Sequence, residues 1–437
     1  MENTFNIENN NVTVQPKWGL IISILVVSLL VFLRDLGIMA IPPAIFILVI
    51  TVISVSLPYK SLRSFSFFYI IGGSGIHGIA YIPLLIALFY KSKSINIHQI
   101  GFALLVLVFE FVHIAFGSFA IDFNRYIIFG LNILFFFFLL FDNKINNKDV
   151  RDDIKFYIIG TAFALFIVVL HSVILYGVAD TLLGYKRLGA LEAEEIEGDM
   201  ATTFNANYMA YYAVVAFALA LFVKGIFRKA WFKALMIFII VLAGVMTASR
   251  SWLLVMTFVM IVYFLFSRVR NKIALLFVVF VVFVVAQRYT SISSAFYERF
   301  AQRIEGQDIS EAGMRLSLFK QYNDFLAQHP ERMIYGTGAL NYKIICAIPY
   351  SVHNGTQQIV VCYGLLGVLI LFWIGFKFYG LFVKNRKKTI WDYVPFIACA
   401  LFVQTIQLVN PVSLILPFTA AVLPLKLNKE EAWFPVY

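Results

Sequence analysis

An all-α integral membrane protein is the fold class this sequence predicts, and three observations predict it. Of 437 residues, 61% are hydrophobic and 14% charged, with 46 Phe and a mean hydropathy of +0.85, far outside the composition of soluble domains. Long apolar runs follow one another with short polar joints, each long enough for a helix that satisfies its own backbone in hydrocarbon. Basic residues gather in short loops that carry no acid. The expected architecture is about 12 transmembrane helices with one large outer (periplasmic or extracellular) loop carrying an amphipathic helix. The length leaves no room for a separate soluble catalytic domain.

In order, residues 1–17 form a polar, Asn-rich tail without the basic n-region of a cleavable signal, so the first span is expected to stay in the mature protein. The N-terminal part of the helix bundle occupies 18–287. Its runs lie near 18–33, 36–57, 66–90, 99–117, 123–141, 156–179, 201–223, 234–248, 251–267 and 273–287. Residues 288–352 form the outer loop, C-terminal helices fill 353–425, and a tail covers 426–437. The 66–90 run holds Gly72, Gly73, Gly75, Gly78 and Pro83, and only Arg34 and Asp35 separate the first two runs. Either region could be re-entrant, and five runs before the 142–155 loop leave the side of the N-terminus open.

Orientation follows the basic loops. Lys224, Arg228, Lys229 and Lys233, then Arg268, Arg270 and Lys272, then Lys384, Arg386, Lys387 and Lys388 are separated by even numbers of runs, which puts all three on the cytoplasmic side. The net charge of +11 is therefore topological, and nucleic acid is not an expected partner. Three scattered cysteines, Cys346, Cys362 and Cys399, support neither a disulfide framework nor a structural metal. No His-x-x-x-His or His/Cys cluster points to a metal site, and no cofactor is expected.

The outer segment 288–352 carries seven basic and six acidic residues. Within it, Met314, Leu318, Tyr322 and Phe325 recur at helical spacing, which predicts an amphipathic helix lying on the membrane face or capping a cavity. Arginine next to a span is costly unless paired or wet. Arg250, in Thr247-Ala248-Ser249-Arg250-Ser251, fits either a bidentate grip on an anionic ligand or an interfacial anchor that snorkels to headgroups. Arg315 divides the same way. His353, in Val352-His353-Asn354-Gly355, sits where a span begins. The positive helix end there disfavours imidazolium and suits a general base; a hydrogen-bonding interfacial histidine is the plainer alternative. His77, His113 and His171 fall within spans and His98 and His329 in loops, and all are weaker candidates. The acidic run 192–199 reads as a solvated loop, and Gly336-Thr337-Gly338 as a turn that could admit a phosphate to the backbone.

In order along residues 180–380, these pieces resemble the bacterial O-antigen polymerase and O-antigen ligase family. The similarity is carried by Thr247-Ala248-Ser249-Arg250-Ser251 between two spans, Gly313-Met314-Arg315 ahead of His329-Pro330, Tyr335-Gly336-Thr337-Gly338, and His353-Asn354 before Tyr363-Gly364-Leu365-Leu366-Gly367. Asn205-Ala206-Asn207 opening a span adds to it. The resemblance implies a glycosyltransferase of the bacterial inner (plasma) membrane whose donor and acceptor are undecaprenyl-pyrophosphate-linked glycans. Arg250 and Arg315, with Arg187 as a further candidate, would hold the pyrophosphate and His353 would activate the acceptor hydroxyl. Asn207, Asn354, Gly336 and Gly338 are secondary candidates. The implied chemistry is metal-independent inverting transfer, since guanidinium groups can stabilise a pyrophosphate leaving group. A repeat-unit polymerase building O-antigen, capsule or exopolysaccharide is expected, with a chain-length regulator and a flippase as partners. A ligase transferring the finished glycan to lipid A-core or another acceptor shares the donor chemistry. A polysaccharide or lipid transporter is the rival from another class, and Glu110, a carboxylate inside a span, argues for it.

Overall fold

The computed structural model describes residues 18–72, 81–93, 95–116, 123–182, 206–247, 249–267, 308–352, 354–406 and 415–428. Among these residues every regular element is a helix. Helices α1 (Trp18–Asp35), α2 (Pro43–Ser56), α3 (Tyr59–Gly72), α4 (Tyr81–Lys91), α5 (Ile97–Phe116), α6 (Phe123–Leu140) and α7 (Asn147–Leu182) precede α8 (Ala206–Phe222), α9 (Ala230–Met246) and α10 (Arg250–Phe266). After the described gap come α11 (Asp308–Gln328), α12 (Pro330–Tyr335), α13 (Tyr342–Ile345), α14 (Gly355–Phe382), α15 (Ile390–Val403) and α16 (Ile415–Val422), closed by a 3-10 turn at Leu423–Lys426. Four segments, Trp18–Asp35, Ile97–Ala115, Asn147–Gly177 and Gly355–Phe382, are long and apolar enough to cross a membrane, and shorter apolar helices accompany them.

The helix starts follow local chemistry. Asn146 and Asp149 cap α7 reciprocally, each side-chain oxygen accepting the other's amide at 2.9 and 3.2 Å. Thr389 and Asp392 form a capping box on α15, and Pro43 opens α2 where no amide donor is needed.

Polar contacts fix which helix ends lie together. Arg63 on α3 reaches Asp142 after α6 at 2.8 Å and Asp153 on α7 at 2.6 Å. Lys91, ending α4, donates to Ser54 O, Val55 O and Leu57 O at the end of α2. Gln99 Nε2 near the start of α5 donates to Phe138 O, Gly19 lies against Leu57 and Gly225 against Arg151. These contacts gather the start of α1, the end of α2, the start of α3 and the loops after α6, α8 and α14 at one end, hereafter the basic end.

The 66–90 run is two helices, α3 and α4, rather than one. Among the described residues six helices therefore precede the 141–146 loop, and the start of α1 lies at the basic end. The 36–57 run is likewise trimmed to α2, because Gly37 takes a left-handed turn (φ 68°) and Pro42–Pro43 cannot continue a helix from α1. The segment expected as a tail from residue 426 is packed where it is described. Lys426 is buried with Nζ 3.1 Å from Asp142 O, and Asn428 and Asn147 exchange two 2.8 Å hydrogen bonds.

Apolar packing forms two cores. One joins α1–α4, α7–α10 and α15. It includes a close approach of α3 and α7 in which a side chain at Gly160 would lie 2.5 Å from Phe68 O. The other joins α5, α6, α11, α13 and α14, with α16 between the two.

Candidate functional site

The far end of the bundle, opposite the basic end, collects the sequence-predicted residues that fall among those described. Thr247 closes α9, donating its hydroxyl to Gly244 O at 2.6 Å, and Ser249 caps α10 by accepting from Trp252 N. The hairpin is this tight because position 244 has no side chain: a Cβ there would sit 2.2 Å from Trp252 Nε1. Arg250 is consequently the first residue of α10 and is exposed. Ser249 Oγ also donates to Asn207 Oδ1 in the first turn of α8 at 3.4 Å, so the starts of α8 and α10 are adjacent.

The start of α14 belongs to the same end. Asn354 is its N-cap, its side-chain oxygen accepting from Gln357 N at 2.9 Å. Thr356 Oγ1 donates to Gln404 Oε1 just beyond α15, and α15 packs on α8 through Phe402 against Tyr211 and a 2.9 Å contact between Cys399 Sγ and the Tyr211 hydroxyl. Three helix N-termini thus face one end, and each presents partly positive amides to an anion. His353 immediately precedes the Asn354 cap but itself lies outside the described residues, as does Arg187. Residue 315 belongs to α11, one turn before Phe319.

Helix α11 is present where the apolar spacing predicts it. Leu318, Tyr322 and Leu326 are buried, against the protein rather than lipid. The Tyr322 hydroxyl donates to Tyr350 O at 2.7 Å, and Gln357 Nε2 of α14 donates to Phe319 O and Asn323 Oδ1. Burial pushes the Tyr342 hydroxyl and the Cys346 thiol up to about 12, so both stay protonated at neutral pH.

Gly336 and Gly338 do something different from what the isolated turn suggested. Helix α14 is broken at Gly364 (φ 61°, ψ −168°), and carbonyls near the break accept from the turn instead of from their own helix. Thr337 N and Oγ1 donate to Val361 O at 3.0 and 2.8 Å, and Gly338 N to Cys362 O at 2.8 Å. Ala339 N and Leu340 N donate to Glu110 Oε2 and Oε1, both at 2.8 Å. Every amide from 336 to 340 is therefore committed to a protein acceptor, with Gly336 N on Arg332 O. The anion this turn holds is the Glu110 carboxylate. Sequence reasoning passed over its role and that of His113 one turn further on; the signal was two ionisable groups at i, i+3 on one face of an apolar helix.

Beneath this clamp runs a cavity of about 520 Å³ between α5, α6, α14, α15 and α16. Its wall is apolar, including Phe109, Ile133, Phe137, Tyr363, Ile374 and Phe418. It extends from Phe109 and Tyr363 next to the clamp down to Leu140 and Val383 at the basic end. Among the described residues, no group of three His, Cys, Asp or Glu is placed to hold a metal ion.

The fold defines an all-helical protein, four of whose helices are long and apolar enough to cross a membrane. No protein-family model, curated protein or solved structure matches the chain.

Proposed function

We propose that the protein is a glycosyltransferase of the bacterial plasma membrane that polymerises undecaprenyl-pyrophosphate-linked repeat units at the outer face, with about 12 crossing helices and its basic end in the cytoplasm. The observation that carries the reading is the gathering of the starts of α8, α10 and α14 at one end of the bundle, with α14 also lining an apolar cavity. A lipid diphosphate has the same two-part chemistry: an anion for the helix starts and a hydrocarbon chain for the cavity.

On this reading, Arg250 at the first position of α10 and Arg315 from α11 grip the donor pyrophosphate, with Arg187 as a further contact. Guanidinium groups remain charged and bind phosphate oxygens in pairs. His353, directly before the α14 cap, takes the proton of the acceptor hydroxyl as that oxygen attacks the anomeric carbon. The carbon–oxygen bond to pyrophosphate breaks, the charge goes to the lipid diphosphate beside the arginines, and one displacement inverts the anomeric centre. Asn354 supports the base by fixing where α14 begins.

Reconstitution in vesicles with a lipid-linked repeat unit tests this. Longer glycans on the lipid support the polymerase, transfer to a different acceptor identifies a ligase, and translocation without a new bond overturns the enzyme reading in favour of transport.

A further inference from the structure

Glu110 is fully buried inside an apolar helix, a setting that nothing in the proposed transfer chemistry uses. Both its oxygens are occupied, one by Ala339 N and the other by Leu340 N at 2.8 Å, so the peptide backbone of the outer segment forms a two-amide nest around the carboxylate. His113 stands beside it. Its Nδ1 lies 2.7 Å from Phe109 O and its Nε2 2.8 Å from Tyr335 O. Both neighbours are backbone carbonyl oxygens, so the ring bridges its own helix and Tyr335, where the turn begins. Both side chains lie against Gly338, where an added Cβ would lie 2.9 Å from His113 Cβ and 3.2 Å from Glu110 Oε1.

The grip has a second jaw. Gly336 (φ 80°) presses against the break in α14, a Cβ there lying 2.3 Å from Cys362 O, while one at Gly364 would lie 2.4 Å from Ile334 O. Non-helical backbone at this depth is stable only when protein satisfies it, and here α5 supplies the acceptors that α14 does not. The same outer segment carries Tyr322, which holds Tyr350 O, and α11, which holds Gln357 in the first turn of α14. Tyr350 and the first turn of α14 are thus both held by α11, which leads through α12 into the clamped turn.

We propose that Glu110 and His113 are positioning residues: a carboxylate and an imidazole built into α5 that seat the 335–340 turn on the broken α14 and so set the placement of Tyr350 and of the Asn354 cap for catalysis. The catalytic part of this statement rests on the transfer reading; the anion-in-a-nest part does not.

Amide hydrogen exchange of the full-length protein in detergent, read on peptides covering 336–341, separates the two. In Glu110→Ala, exchange at these amides should rise about tenfold or more. Acetate, at ionic strength matched with chloride, should slow it again by refilling the nest, and glycan transfer should fall and recover in parallel. A role in packing alone would not respond to acetate. Wild-type exchange in Glu110→Ala, or no acetate effect in a folded variant, overturns the nest. If Glu110→Ala does not fold, Glu110→Gln keeps the shape but offers one amide a donor instead of an acceptor, and unchanged exchange there overturns it equally. Loosened amides with undiminished transfer overturn the positioning role. A wild-type protein that shows the exchange behaviour but no transfer leaves the nest standing and removes only the glycosyltransferase reading.

Discussion

Arg63 Nε and Asp153 Oδ2 meet at 2.6 Å between α3 and α7 with both side chains sealed from solvent. The guanidinium is saturated further by Asp142 and by Leu139 O at 3.1 Å, Tyr59 and Ser64 hold the two carboxylates from the other side, and Lys426 closes the ring from the C-terminal turn. Removing one member leaves uncompensated charge in an apolar core, which costs about 3–5 kcal/mol. Arg63→Ala is therefore expected to lower the melting temperature in detergent by many degrees. Arg34→Ala, which leaves a single neighbouring carboxylate at the end of α1, should have a clearly smaller effect.

Within this network, Asp142 contributes a pH dependence with a definite sign. Burial alone would raise the Asp142 carboxyl, but the Arg63 guanidinium, the Tyr59 hydroxyl and the Lys144 amide hold it below its ordinary value. A carboxyl depressed in the folded state binds its proton more weakly than in the unfolded chain. Its stabilisation is complete above the ordinary range near pH 4 and is lost as the pH falls through the lower, folded value. The stability difference between the wild type and Asp142→Asn, followed by thermal unfolding from pH 7 to pH 3, should shrink in the acid limb. Asp142→Asn should be less stable at pH 7 and should flatten that limb.

The sequence made the helices legible where apolar runs were bounded by charge or proline, and it made Arg250 legible as the residue between two apolar runs; the Ser249 cap that starts α10 there is a structural finding. It hid the α3–α4 division, since the glycines between them interrupt an apolar run without adding polarity, and Arg63 lies between two apolar runs with no motif to single it out. The partners of Arg63 are 79 and 90 residues away, so no local spacing reveals them. Glu110 was visible as a carboxylate inside a span. Its partners are backbone amides 229 and 230 residues away, and every non-proline residue has one, so the pattern could not single them out. The same limit turned Gly336-Thr337-Gly338 from a clamp into an ordinary turn.

Gly336 and Gly364 should be intolerant of even a methyl group. Both have positive φ, and in each the added Cβ would meet backbone within 2.3–2.5 Å, so no side chain can move aside. Backbone strain of this kind costs about 1–3 kcal/mol per position. Gly336→Ala and Gly364→Ala are each expected to speed proteolytic cutting within 329–352. Gly380→Ala on the same helix, where nothing lies within 4 Å, should leave the cutting rate unchanged.

Filling the apolar cavity should separate donor binding from folding. Gly375 lines it and has no atom within 4 Å of an added Cβ, and replacing a helical glycine favours the helix by about 0.5–1 kcal/mol. Gly375→Leu is expected to melt at or above the wild-type temperature while the KM for a lipid-linked donor rises about tenfold. A soluble donor analogue without the long chain should show no such difference.

Arg250 offers the sharpest test of the anion site, because it is exposed at the first position of α10. Lysine keeps the charge and the helix start but replaces a planar fork of donors with a single ammonium. If the residue only anchors to headgroups, Arg250→Lys should be silent. If it grips a diphosphate in the transition state, Arg250→Lys should lower kcat by about 10²-fold with membrane insertion and melting temperature unchanged. His353→Ala should lower kcat by about 10²–10⁴-fold, and the double variant should lose less than the product of the two, since the base and the leaving-group clamp serve one displacement. Full multiplicativity would mean that the two residues serve separate steps.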